Sequence, residues 1–96
     1  MHEVAIRQVI DYLDEDLFEP GADWPEDLFE ERSYARWAAN EIIQNLMDNP
    51  MLPPDLIVES FMVQMAIFSY TNEDPSKRRI FSIARDTAED ILSLFL

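Results

Sequence analysis

Carboxylates are the residues of this chain best able to do chemistry. Glu26, Asp27, Glu30 and Glu31, and later Asp86, Glu89 and Asp90, recur at steps of one, three and four residues, which brings members of each group onto one helical face. Acids so placed on facing helices hold magnesium or manganese through oxygen. Other catalytic material is scarce. The one histidine is His2 and there is no cysteine, so histidine acid-base chemistry, multi-histidine metal sites, thiolate zinc sites and disulfides lack their residues. No serine lies in a Gly-x-Ser-x-Gly turn, and a single glycine cannot build a phosphate-cradling loop. Asp14-Glu15-Asp16 is followed by neither the glycine nor the closing glutamate of a calcium loop.

The two carboxylate groups loosely resemble the Glu-Glu-x-x-Glu and Glu-x-x-Asp elements of the all-α nucleoside triphosphate pyrophosphatases. The likeness covers a dozen residues; the groups stand more than fifty residues apart, and the order at Asp86-x-x-Glu89 is reversed. What the resemblance implies is an alternative, a small metal-dependent phosphohydrolase or nucleotide pyrophosphatase using helix-borne carboxylates. The preferred reading makes these acids the polar faces of two helices in a protein that is not an enzyme. No catalytic, cofactor-binding or metal-binding residue and no cofactor are assigned.

Charge is the strongest feature of the composition. In 96 residues there are 20 acids and 7 bases, a net charge of -13 that repels a nucleic-acid backbone, so direct binding of DNA or RNA is not expected. Ten of the acids fall between Asp11 and Glu31 with no base among them, and residues 1–32 carry -9 against -4 for residues 33–96. Such self-repulsion opposes folding, and a partner that neutralised it would gain affinity and association rate. The segment is either a solvated face that keeps the domain soluble or a docking surface for a basic protein, with mimicry of a nucleic acid as the sharper form of the second. The residues expected to meet a basic partner are Asp14, Asp16, Glu19, Glu26, Asp27, Glu30 and Glu31. Lys77, Arg78 and Arg79 form the opposite cluster, at the start of the last helix, where the helix dipole disfavours positive charge. They are expected either to face the chain's own acids or to contact an anion or a partner's acidic groups.

These residues need elements to position them, and six prolines with one glycine mark where those elements begin and end. Ile6, Ile10, Leu13 and Leu17 trace one face of a helix over residues 3–18, which Pro20-Gly21 stops. Asp23 and Glu26 form a capping box around Pro25 and open a helix over 24–48, with a stripe of Leu28, Ala35, Ala38, Ala39, Ile42 and Leu46. Pro53-Pro54-Asp55 opens a third over 54–71. From Leu56 to Tyr70 it is apolar nearly all round, which predicts the most buried helix of the set. Asp74-Pro75 opens a fourth over 75–95, with Ile80, Ile83, Ala84, Thr87, Ala88, Ile91 and Leu94 inward. Strand alternation and hairpin residues are missing. The expected fold is all-α, a four-helix bundle-like single domain over residues 1–96, with short connections favouring antiparallel neighbours.

Within the third helix Glu59 and Gln64 are polar residues in an apolar setting; Glu59 is expected to pair with Arg36 or Arg85, the alternative for either residue being to reach solvent at the bundle's edge. Trp24, Phe29, Tyr34 and Trp37 spread over several faces of the second helix, so one stripe cannot bury them all. Leu92, Phe95 and Leu96 bring the chain to an apolar end, a candidate surface for self-association as a homodimer. Charged residues interrupt the apolar ones near the start, and no apolar run approaches the roughly 20 residues of a membrane span. A cytoplasmic protein, away from membranes, is expected.

Overall fold

A computed structural model describes residues 2–14 and 29–96, with the backbone alone at residues 29 and 30. Four helices follow one another: α1 Glu3–Tyr12, α2 Phe29–Asp48, α3 Pro54–Thr71 and α4 Pro75–Ser93. There is no strand among the described residues, and the all-α class expected from the sequence is the class observed. Residues 15–28, which would complete the expected first helix and begin the second, lie outside the described residues.

Each helix starts and stops for a local reason. Asn49 ends α2, donating from both its backbone N–H and its side-chain amide to the Asn45 carbonyl, at 3.1 and 2.9 Å, and Pro50 cannot continue the ladder. Pro53 caps α3 in an extended conformation and Pro54 occupies its first turn, where a missing N–H costs nothing. Asp74 caps α4 by accepting from the Ser76 N–H at 2.9 Å. Its own N–H donates to the Asn72 side-chain carbonyl at 3.0 Å, and the Asn72 N–H donates to the Phe68 carbonyl at 3.1 Å, which fixes the sharp turn from α3 into α4.

The core is one cluster. Ala5, Val9 and Leu13 enter it from the first helical segment, Ala35, Ala38, Ala39, Ile42 and Leu46 from α2, Ile57, Val58, Phe61 and Met65 from α3, and Ala84, Ala88 and Ile91 from α4. Alanines on both α2 and α4 let those two backbones approach closely. Thr87 is the buried polar residue of α4, and its hydroxyl donates back to the Ile83 carbonyl at 2.9 Å. On α1 the buried stripe is Ala5, Val9 and Leu13, one residue off the expected Ile6 and Ile10, which are half-buried beside it.

One placement is corrected. α3 was expected to be the most buried helix, yet it is α4 that makes the two most extensive helix contacts, first with α3 and then with α2. α3 meets α2 far less than it meets α4. One face of α3 therefore stays open.

Candidate interaction surface

Of the acidic residues singled out by spacing, Asp14 is exposed just beyond α1 and Glu31 stands in the first turn of α2. Asp16, Glu19, Glu26 and Asp27 lie outside the described residues, as does the side chain of Glu30. Arg79 donates from Nη2 to Glu31 Oε1 at 2.8 Å, so one of the three bases at the start of α4 does face the acidic segment. Lys77 and Arg78 are exposed beside it. Two further bases hold acids of their own helices: Arg7 reaches Asp11 at 3.7 Å, and Arg85 donates from Nη2 to Asp86 at 3.1 Å. The hydrogen bond and charge of Asp86 raise the Arg85 guanidinium above its ordinary pKa.

The open face of α3 is the surface that spacing alone missed. Leu56, Val63, Ile67 and Tyr70 are 46, 49, 52 and 78% exposed. At roughly 100° per residue they share one arc with Glu59, Ser60 and Gln64, while Ile57, Val58, Phe61 and Met65 occupy the opposite arc. Glu59, Ser60 and Gln64 thus mark its outer side, while Ser69 is half-buried and donates to the Ala66 carbonyl. Beside that arc runs an open groove of about 510 Å³, with Asn45, Asn49 and Leu52 along one wall, Leu56, Val63 and Ile67 along the other, and Ile57 and Phe61 at its floor. Trp37 of α2 leans on Phe61 with ring centroids 6.4 Å apart, helping to set the spacing of the two helices. No lysine or arginine is among the described residues lining the groove. From Trp37 to Ser76 the chain has six acids and no lysine or arginine at all.

Glu59 is not a buried charge. It is exposed beside Leu56 and Val63, and it pairs with neither Arg36 nor Arg85, the partners expected for it. Gln64 is likewise exposed, on the groove wall. On the side of α4 that meets Tyr12 and the start of α2, Asp86 and Asp90 line an open groove with Glu31 and Arg32; Asp86 is held by Arg85, and Asp90 Oδ2 accepts from the Tyr12 hydroxyl at 3.5 Å. Among the described residues no three carboxylate or histidine side chains come together as a metal site. His2 donates from Nε2 to the Asn49 carbonyl at 3.0 Å, tying the start of α1 to the turn after α2.

The apolar end divides between two positions. Leu92 and Phe95 are half-buried against the core, while Leu96 is 90% exposed. Leu92 and Leu96 line a second open groove, about 640 Å³, together with Met62, Val63 and Ala66 of α3. Val63 borders both grooves, so the exposed apolar surface continues from the α2–α3 turn to the end of α4. No helix among the described residues is long and apolar enough to cross a membrane.

The chain matches no family model, no curated protein and no solved structure.

Proposed function

We propose that this chain is a non-catalytic interaction module that engages a basic surface on a partner protein. The observation that carries the reading is the distribution of charge: 20 acids stand against 7 bases, with ten of the acids between Asp11 and Glu31 and no base among them, a surplus that the chain's own bases cannot neutralise. An unneutralised surface of this kind attracts an oppositely charged protein, speeding encounter and disfavouring wrong partners. In its sharper form the acidic surface takes the place of a nucleic acid in a protein's binding channel. Action in the cytoplasm accords with the absence of cysteine, and self-association as a homodimer through Leu92, Phe95 and Leu96 accords with the apolar end.

The test is retention of partners from extract on the immobilised chain at low salt. The reading expects basic proteins, released by salt, and loss of their retention by the combined variant Glu26→Gln, Asp27→Asn, Glu30→Gln and Glu31→Gln. Retention of nothing, or retention as strong as the unaltered chain's both by that variant and by one with the remaining acids of the segment neutralised too, contradicts it.

A further inference from the structure

We infer that the groove between α2 and α3 receives a basic amphipathic helix of the partner protein, an inference that rests on the reading above and gives it a site. Leu56, Ser60, Val63, Ile67 and Tyr70 follow one another at steps of four, three, four and three residues, the spacing of a helix–helix packing seam. Four of the five are apolar, and all five are exposed. A seam of this kind accepts side chains of a second helix between its own, and the neighbouring wall of Asn45, Asn49 and Leu52 gives the trough a second side. From Leu56 to Tyr70 the seam is about 21 Å long, which matches four turns of a docked helix.

Charge selects the occupant. Glu59 stands against Leu56 and Val63, and Glu41 lies one helical turn before Asn45, so both sides of the trough are edged by acids. Among the described residues no lysine or arginine lines the trough itself; Arg85 of α4 meets the seam at its far end, by Tyr70, and there it is paired with Asp86. A second copy seated in the trough would set its own Glu41 and Glu59 against these, which disfavours a second copy at this site. A helix with leucine-like side chains on one face and lysine or arginine on its flanks fills the trough and neutralises the edges together. Uncovered apolar seams of this length are unusual on a protein that works alone.

The experiment places a photo-reactive residue in the full chain, as Ile67→p-benzoylphenylalanine in the trough and, separately, as Asp14→p-benzoylphenylalanine in the acidic segment. Cross-linked peptides from source-cell extract are then sequenced. The expected result is that position 67 captures an amphipathic helical segment rich in lysine or arginine, and that adding Val63→Glu lowers its yield at least tenfold while Val4→Glu, at an exposed position of α1 that borders neither groove, leaves it unchanged. If Val63→Glu lowers the melting midpoint by more than about 4 °C, the milder Leu56→Ser is used for the same comparison. Cross-linking at 67 to a second copy, to an acidic or strand segment, or to nothing while position 14 captures a basic protein released by salt, overturns the groove and leaves the interaction reading standing. Capture at neither position, with nothing retained at low salt, removes both.

Discussion

Arg79 and Glu31, 48 residues apart in sequence, meet at 2.8 Å and join the first turn of α4 to the first turn of α2. The contact accounts for a base near the start of α4, where the helix dipole opposes it, since Glu31 supplies the opposite charge. Both side chains are near half-exposed, at 50 and 41%, so the pair is worth little in isolation. A double-mutant cycle with Arg79→Ala and Glu31→Ala should give a coupling of about 0.2–1 kcal/mol. That coupling should shrink toward zero in 0.5–1 M salt, where the screening length falls to a few Å (about 3 Å at 1 M). A coupling that is absent at low salt would remove the bridge from the account.

The open face of α3 has a direct signature in stability. Ile42 is fully buried, and Ile42→Ala should cost about 2–5 kcal/mol in urea unfolding. Ile67, half-exposed on the trough, should lose less than about 1 kcal/mol on the same substitution. Equal losses at the two positions would mean that α3 is packed all round.

Capping by Asp74 should be equally plain. Asp74→Ala removes the acceptor for the Ser76 N–H and should cost about 1 kcal/mol, whereas Asp74→Asn keeps an acceptor and should restore most of it. Denaturation midpoints of the two variants check this, and identical midpoints would contradict the cap.

Metal binding separates the interaction module from the phosphohydrolase suggested by the carboxylate spacing. A specific site occupied at 100 times its dissociation constant adds about 2.7 kcal/mol of stability. Magnesium or manganese, with and without a nucleoside triphosphate, should shift the melting midpoint no further than sodium chloride of equal ionic strength. A larger shift, lost on changing Glu26, Asp27, Glu30 and Glu31, would favour the enzyme.

Much of this fold is legible in the sequence. The residue types Pro53-Pro54 and Asp74-Pro75 name the starts of α3 and α4, because their effect is local; the alanine stripe of α2 falls where spacing puts it, and so do Ala84, Thr87, Ala88 and Ile91 of α4, whereas Ile80 and Ile83 are half-buried and Leu94, expected inward, is exposed past the last helical turn. The orientation of α3 is harder to read, since a helix apolar on nearly every side offers no contrast from which to take a phase. Glu59, Ser60 and Gln64 carried the missing signal: all three lie on the side that proved open. Reading Glu59 as a buried charge in search of a base followed from assuming the helix enclosed. The acidic face was legible as a charge imbalance, but charge alone does not say which acids share a surface, and most of those named lie in residues 15–28.

The most direct measurement is the affinity of the chain for its retained partner at 50 and 200 mM salt, beside the same pair of values for the variant neutralised at Glu26, Asp27, Glu30 and Glu31. The account predicts a dissociation constant at least tenfold weaker at the higher salt for the unaltered chain, and a clearly smaller change for the variant. An affinity indifferent to salt, or the same salt response in both proteins, would contradict it.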